Sequence, residues 1–384
     1  MTPFETMCVL PPPGGTPRDA VHDCLEQLAA RLQVSGRETQ HVISLTFFVA
    51  PCEPTPFQEV RSTVLDSVRD RFHGAPPPVS VVGQPPEGKR HAALEAAVLL
   101  EAEPGAKVER RSHEGICYSV VVSEAGRQVH AAGLASSDGT TSAADRSREA
   151  FSAAQAILDA EGLDFGHIVR QWNYLEEMLD VRSTGCGDSQ GYQAFNDVRS
   201  IAYGHSAFPT GYPAATGIGQ RVGGVTIELV AVDPGPRVTV APISNPKQVD
   251  AHRYSEEVLV GDTSEGLPST TSPKFERGKR MAADGAEIVF VSGTASILGE
   301  ETVGRGDVRA QTRTTIANID EVLGGRTLTH LRAYVKRAED IEAVREECRA
   351  GFGDIPALYV QADVCRDDLL VELEGESVTG RSRG

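Results

Sequence analysis

From Lys107 onward the chain repeats one order of predicted elements twice, and this repeat constrains the fold more than any other feature. Each copy opens with two predicted strands, which are followed by a helix, a strand, a second helix and two final strands. Alternating apolar residues predict the strands, and apolar residues at helical spacing predict the helices. The first helix of each copy is predicted at 142–161 and 307–323. Because the two copies differ in loop length and not in element order, Glu228 and Glu372 are interpreted as corresponding residues of the last strand.

This order predicts an α+β fold of duplicated units, each a mixed sheet with helices packed on one face. We expect a first unit at 107–232 and a second, catalytic unit at 233–384, after an N-terminal segment, 1–106, that forms a partial or degenerate unit. In that segment, residues 1–20 are expected to be a loose lead-in and the alanine-rich stretch 90–102 a helix. Pockets are expected in the clefts between units.

Charge and cysteine usage narrow the classes of partner. A net charge of -17 argues against nucleic acids and anionic membranes, which require basic patches. The N-terminus has no basic region followed by an apolar run, and no apolar stretch approaches the roughly 20 residues needed to cross a bilayer. The seven cysteines are scattered and none forms a C-x-x-C pair, which predicts a reduced, cytoplasmic protein. The ten histidines show no paired ligand spacing, so we predict no metal.

The C-terminal stretch LLVELEGE contains two carboxylates on one side of a predicted strand. Strand alternation places Leu369, Val371 and Leu373 on one face, and Leu370, Glu372 and Glu374 on the other. Two interpretations remain open from these residues alone. Either this face meets solvent, or a carboxyl is held in a pocket with a raised pKa and donates a proton.

Several motifs of this chain, in their order, resemble those of the chorismatases, in the wider superfamily of RidA/YjgF (chorismate mutase-like) proteins. The motifs are WNY at 172–174, AATGIG at 214–219, NPKQV at 245–249, FVSGTASILG at 290–299, GDVRAQT at 306–312 and ADVCRDDLLVELEG at 362–375.

The resemblance implies a cofactor-independent enzyme that removes the enolpyruvyl group of chorismate as pyruvate. It also implies a product, because Gln248, Gly293 and Cys365 are the residues found at these positions in the hydroxybenzoate-forming branch. The hydrolytic branch tends to have Val, Ala and Ala at these three positions. We therefore expect 3-hydroxybenzoate; the alternatives are hydrolysis to a dihydroxycyclohexadiene carboxylate, or a mixture of 3- and 4-hydroxybenzoate.

The resemblance also assigns roles to acidic and thiol side chains. Glu372 matches the family's catalytic glutamate and is expected to protonate the enol ether. Glu374 is expected either to keep Glu372 protonated by like-charge repulsion or to be structural. Cys365 is expected either to steer the intermediate towards aromatisation or to be an ordinary small apolar side chain.

The remaining predicted site residues would bind the substrate dianion. Arg277 matches the family's F-x-R motif and supplies positive charge, while the alternative is an exposed arginine beside a loop. Backbone amides of Gly293, Thr294 and Ala295 are expected to bind the ring carboxylate. Tyr254 is expected to donate a hydrogen bond or to be a core aromatic. Gln248 is expected to orient the ring hydroxyl or a water, and Gly217 of AATGIG to be part of the substrate site.

One departure from the family pattern and two rival functions remain. Residues 255–272 replace a Tyr-Gly-Pro segment of the family and form either a lid or a plain surface loop. RidA-type imine hydrolysis needs an arginine where this chain has Pro356-Ala357-Leu358, which weakens that rival. A non-catalytic small-molecule binding protein is the rival from another class. We expect a monomer or a homotrimer.

Overall fold

The computed structural model describes residues 3–51, 55–100, 105–184, 187–255, 271–283 and 285–380. The units of the structure are numbered from the N-terminus, so that the units predicted at 107–232 and 233–384 become the second and the third. The first unit comprises β1 (Phe4–Val9), α1 (Pro17–Val34), β2 (Val42–Val49), α2 (Phe57–Arg71), β3 (Val79–Val82) and β4 (Ala92–Leu99). The second unit comprises β5 (Lys107–His113), β6 (Ile116–Ser123), β7 (Gly126–Ala135), α3 (Ala143–Ala160), β8 (Ile168–Glu176), β9 (Val181–Thr184), β10 (Gly187–Gln190), α4 (Gly191–Tyr203), β11 (Ala214–Gln220) and β12 (Val225–Pro234). The third unit comprises β13 (Thr239–Ile243), β14 (Gly278–Ala283), β15 (Ala286–Ala295), β16 (Ile297–Leu298), β17 (Glu301–Thr302), α5 (Val308–Leu323), β18 (His330–Val335), α6 (Ile341–Phe352), β19 (Ala357–Gln361) and β20 (Val371–Thr379).

Each unit forms one mixed sheet. The strand orders are β1-β4-β2-β3, β11-β8-β12-β7-β6-β5 and β13-β14-β15-β20-β18-β19. In every sheet the last strand of the unit lies between an earlier antiparallel strand and the strand that follows the first helix, and one parallel pair forms the edge. The predicted α+β class, with mixed sheets and helices on one face, is confirmed. The division of the chain at residues 106 and 232 into domains stays a prediction.

The same order occurs a third time, in the N-terminal segment, without the additional strands that widen the other two sheets. Two local predictions for this segment were wrong. Residues 92–99 form β4 and not a helix, because the strand is buried between β1 and β2 and this pairing overrides the helix propensity of alanine. Residues 4–9 form β1 and not a loose lead-in, because they pair antiparallel with β4.

The helices lie outside and the sheets face one another inside. Each unit packs two helices on the outer face of its sheet, as shown by core clusters that combine helix and strand residues of a single unit. Two further clusters contain inward residues of all three units, for example Phe4, Val230 and Phe290. The sheets therefore surround a shared interior, and the boundaries between units run through buried side chains.

Strand register shows which residues of the units correspond. Glu372 lies opposite Ala295 on β15 and Tyr334 on β18. In the second unit, Thr226 lies opposite Ala135 on β7 and Tyr174 on β8. Thr226 and not Glu228 is therefore the counterpart of Glu372, and the predicted correspondence was wrong by two residues. A bulge interrupts the register beside each of these positions, and a count along the sequence cannot detect it.

Within the described residues, no helix is both long enough and apolar enough to cross a membrane.

Candidate active site

A cavity that contains most of the predicted site residues lies between the second and third units. We call it the cleft; its empty volume is about 720 Å³. The second unit contributes α4 and β11, and the third unit contributes β15, β20 and the segments around Tyr254 and Cys365. Its lining residues are Gln190, Tyr192, Gln193, Asn196, Ala215, Gly217, Tyr254, Pro273, Phe275, Arg277, Gly293, Ala295, Ile297, Cys365, Arg366 and Glu372.

Glu372 is the carboxyl that lines this cleft. It follows Val371 on β20, and while Val371 and Leu373 enter the core beneath α5 and α6, Glu372 points the other way, towards the second unit. The residue is 5% exposed. Burial, with the nearby charge of Glu374 as the second cause, raises the pKa of Glu372 to about 8. The carboxyl is therefore largely protonated at neutral pH, as a proton donor must be.

Gly293 makes room for this carboxyl. A Cβ added at Gly293 would lie 2.1 Å from Glu372 Oε1 and 3.0 Å from Thr216 Cγ2, so any side chain at this position would displace the acid or the strand beside it. The Gly293 amide donates to Thr216 Oγ1 at 3.0 Å, which ties β15 of the third unit to β11 of the second. Gly293 therefore leaves room for the Glu372 carboxyl, and its amide forms a hydrogen bond between the second and third units.

Glu374 lies behind the cleft wall and is saturated with donors. Arg170 Nη2 lies 2.5 Å from its Oε2, and Thr216 Oγ1 donates to the same oxygen. Its Oε1 accepts from Trp172 Nε1 at 3.0 Å and Tyr334 Oη at 2.9 Å, and Arg332 Nη1 lies 2.9 Å from it. Removing one partner of such a buried pair costs about 3–5 kcal/mol. Glu374 is therefore a fixed negative charge whose hydrogen-bonding capacity is used within the protein.

Two guanidinium groups flank one tyrosine ring in the cleft wall. Arg277 Cζ lies 5.5 Å from the centre of the Tyr254 ring, and Arg366 Cζ lies 5.7 Å from it. Arg277 Nη2 donates to Tyr254 Oη at 2.8 Å, while Arg277 Nε is buried without a hydrogen-bond partner among the described residues. This corner of the cleft therefore offers two cations and an unused N–H donor to an anionic ligand.

Cys365 and Tyr192 form an uncharged part of the wall beside Glu372. Burial raises the pKa of the Cys365 thiol to about 12, and the nearby Glu372 is the second cause. Burial likewise raises the pKa of Tyr192 above its usual value. Both groups are therefore protonated at neutral pH, which excludes a thiolate nucleophile at Cys365 in this state.

The structure brings seven of the ten predicted site residues into the lining of the cleft. They are Gly217, Tyr254, Arg277, Gly293, Ala295, Cys365 and Glu372.

The other three do not line it. Gln248 is held by protein groups, because its Oε1 accepts from Asn245 and its Nε2 donates to Ile297 O. Thr294 Oγ1 donates to Ser292 O, and Glu374 is bound as described above. The predicted use of the Gly293 amide for a substrate carboxylate needs correction too, since that amide already donates to Thr216 Oγ1.

Sequence reasoning missed the contribution of the second unit and one cation. Tyr192, Gln193 and Asn196 reach the cleft from α4, and their signal was a polar patch on the buried face of a helix. Arg366 follows Cys365 directly and was passed over in favour of Arg277. Of the predicted lid or loop at 255–272, residues 256–270 lie outside the described residues, and its role stays a prediction.

Comparison with known proteins finds chorismatases that are similar to this chain in sequence, and one that is similar in fold. Residues 105–231 match the family described as Chorismatase FkbO/Hyg5-like, N-terminal. A 3-hydroxybenzoate synthase of Streptomyces hygroscopicus is 35% identical over 235 residues, which are 56% of this chain and 64% of that protein. A chorismatase of Streptomyces rapamycinicus is 33% identical over 238 residues, 57% of this chain and 66% of that protein.

In sequence the chain is thus similar to chorismatases over part of its length. Its fold agrees with a crystal structure of a chorismatase over 98% of both chains, with a TM-score of 0.66 and 22% identity. This likeness extends over all three units, whereas the aligned sequence spans less than two thirds of the length of the curated relatives. The reaction and substrate of this chain therefore have to be argued from the cleft.

Proposed function

We propose that the chain removes the enolpyruvyl group of chorismate as pyruvate and releases 3-hydroxybenzoate. The observation that carries the proposal is the buried Glu372 carboxyl in the cleft, with its pKa raised to about 8. The name of the 3-hydroxybenzoate synthase relative supports the same substrate and product.

Proton transfer to carbon is the step that this carboxyl suits. Glu372 donates its proton to the terminal methylene carbon of the enol ether, and the adjacent carbon becomes an oxocarbenium-like centre. A donor whose pKa lies close to the working pH is both protonated and acidic enough to transfer the proton in the transition state. Glu374 keeps a negative charge nearby, which opposes early ionisation of Glu372.

Binding of the substrate follows from the cations. Chorismate bears two carboxylates, and Arg277 and Arg366 converge on the Tyr254 side of the cleft. We propose that they bind one carboxylate, with the unpartnered Arg277 Nε as one donor. The two cations and the protonated Glu372 line the same cleft, and together they orient the ether towards the acid.

The product branch depends on the wall beside Glu372. Pyruvate and 3-hydroxybenzoate together contain all the atoms of chorismate, so the proposed reaction consumes no net water, whereas the hydrolytic alternative consumes one. Cys365, protonated and adjacent to the acid, narrows this part of the cleft. We propose that it disfavours the hydrolytic outcome and assists loss of the ring hydroxyl.

The direct test is incubation of the purified chain with chorismate, with pyruvate measured enzymatically and the aromatic product identified by chromatography and mass. Equal amounts of pyruvate and 3-hydroxybenzoate are expected. A cyclohexadiene diol, or a mixture with 4-hydroxybenzoate, would replace the branch assignment but keep the protonation step. Binding of chorismate without pyruvate release would support a non-catalytic binding protein and contradict the proposal. A cytoplasmic location and the choice between monomer and homotrimer stay predictions.

A further inference from the structure

Each unit places a glutamate at the same position of its last strand. Glu95 lies opposite Thr46, Glu228 opposite Trp172 and Glu374 opposite Arg332. All three are buried and point into the shared interior. Only Glu374 adjoins Glu372 on its own strand, so a direct effect of the other two glutamates on the cleft is not obvious from the strand pairing.

Arg332 connects the glutamate of the first unit to that of the third. Its Nε donates to Glu95 Oε2 at 2.9 Å, and its Nη2 donates to the same oxygen. Its Nη1 lies 2.9 Å from Glu374 Oε1 and also donates to Tyr174 Oη. One buried guanidinium is thus shared between two carboxylates from different units.

Glu374 connects Arg332 to the backbone beside Glu372. Its Oε2 accepts from Thr216 Oγ1, and the same hydroxyl oxygen accepts from the amide of Gly293, against which the Glu372 carboxyl lies. The contacts run without a gap from Glu95 through Arg332, Glu374 and Thr216 to the backbone under the acid. No described residue of the first unit lines the cleft, so this path is a route by which that unit acts on it.

We propose that Glu95 of the first unit is a positioning residue for Glu372, acting through Arg332 and Glu374. This inference rests on the proposed role of Glu372 as the acid. While Glu95 occupies two of its donors, Arg332 is already neutralised and the negative charge of Glu374 stays effective beside Glu372. Without the Glu95 carboxylate, Arg332 neutralises Glu374 instead, and Glu372 ionises more easily.

The other groups that face these residues do not reproduce this effect. Around Glu372 the charged and titratable neighbours are Glu374, Arg170, Arg277, Arg366, Cys365 and Tyr192, none of them from the first unit. Around Glu95 they are Arg332, His330, Cys8, Glu228 and Glu376. His330 Nε2 lies 3.0 Å from Glu95 Oε1, so it competes for Glu95 but does not touch Glu374.

The test is the pH dependence of kcat for Glu95→Gln in the full chain. The alkaline limb of the kcat profile, where activity falls as Glu372 ionises, is expected about one pH unit lower than in the original chain. This shift lowers kcat at pH 8 about fivefold. KM is expected to be unchanged, because Arg277 and Arg366 are not affected. The matched control is Glu161→Gln, which removes another buried, arginine-paired glutamate that contacts Arg111 and Arg127 far from this path. An unmoved limb in Glu95→Gln, or an equal movement in the control, would overturn the proposal.

A second variant covers the case in which Glu95→Gln does not fold because Arg332 and His330 lose their buried carboxylate partner. In Glu95→Gln/Arg332→Gln both charges are removed, Glu374 keeps only Arg170 as an ion-pair partner, and the limb is expected at or above its original pH. A limb below the original pH would contradict the proposed path. If the original chain does not turn over chorismate, the proposed function fails by itself. The titration of Glu372 is then followed through the pH dependence of the Tm difference from Glu372→Gln, and the same movement is expected.

Discussion

The cleft between the second and third units can be compared with the groove between the first and second units, because strand register makes their residues correspond. The groove is lined by α2, β3 and β7, including Arg61, Val79, Gly133 and Thr226. In the groove the Gly133 amide donates to Ser80 Oγ at 2.7 Å, just as the Gly293 amide donates to Thr216 Oγ1 in the cleft.

The glutamates between the units also correspond, while the residue at the position of Glu372 does not. Glu228 forms a side-chain hydrogen bond with Ser80, as Glu374 does with Thr216 in the equivalent place, and it also accepts from Thr46 Oγ1 at 2.9 Å. Thr226 stands in the groove where Glu372 stands in the cleft. The comparison teaches that the glutamate, hydroxyl and glycine amide form the joint between units, and that a single side chain beside the joint supplies the proposed chemistry.

The largest expected effect comes from removing that side chain. Glu372→Gln keeps the size of the group but removes the transferable proton, and kcat for pyruvate release is expected to fall about 10³-fold. Glu228→Gln, at the joint of the groove, is the matched control and is expected to stay within twofold. Activity of Glu372→Gln near that of the original chain would assign the proton to another group.

Filling the space beside the acid is expected to have the next largest effect. In Gly293→Ala the new methyl meets Glu372 Oε1, so the carboxyl must turn and kcat is expected to fall about 10- to 100-fold, with product moving towards the hydrolytic outcome. Gly139→Ala is the control, because a Cβ there meets nothing within 4 Å. Unchanged kcat and product ratio would show that the position of the carboxyl does not matter.

The pH dependence of stability tests the protonated state directly. The pKa of Glu372 is 4.5 in the unfolded reference and about 8 when folded, so the folded state binds the proton more tightly. This stabilising contribution is complete below pH 4.5 and is lost as the pH rises through about 8. The Tm of Glu372→Gln relative to the original chain is therefore expected to increase between pH 5 and pH 9. A pH-independent difference would indicate a carboxyl with an ordinary pKa.

Cys365→Ala is expected to change the products more than the rate. The thiol is protonated and is not the proton donor to carbon in the proposed step, so kcat for pyruvate release is expected to fall less than fivefold. The fraction of hydrolytic product is expected to rise severalfold, measured by chromatography. A constant product ratio would favour the packing interpretation of this cysteine.

The smallest effect is expected from placing an acid in the groove, where no recovery of activity is expected. Thr226→Glu in the Glu372→Gln chain places a carboxyl at the equivalent position of the groove, yet pyruvate release is not expected to return. Arg61 of the groove lies 3.8 Å from Asp138, which competes for its charge, and no equivalent of the Tyr254 corner is present among the described lining residues. Restored turnover would show that the joint and one acid suffice.

The sequence predicted those parts of the fold and site that depend on local pattern. Helix α3 was expected at 142–161 and is found at Ala143–Ala160, and the inward direction of Glu372 followed from strand alternation. Alternation failed at Leu369 and Leu370, which precede β20 and enter two different cores. The extension of β20 to Thr379 was missed, and with it the third inward carboxylate, Glu376.

By itself, then, the sequence determined the repeated order of elements, the family motifs and the acid, because each is written in residues that are close together in the chain. Only the tertiary structure decided that β4 is a strand, that Thr226 corresponds to Glu372, and that α4 and Arg366 complete the cleft. It also decided that Gln248 and Glu374 are occupied by protein partners. These outcomes depend on contacts between residues up to hundreds of positions apart, such as Arg170 with Glu374 and Glu95 with Arg332, and a bulge or a shared arginine leaves no local pattern to detect.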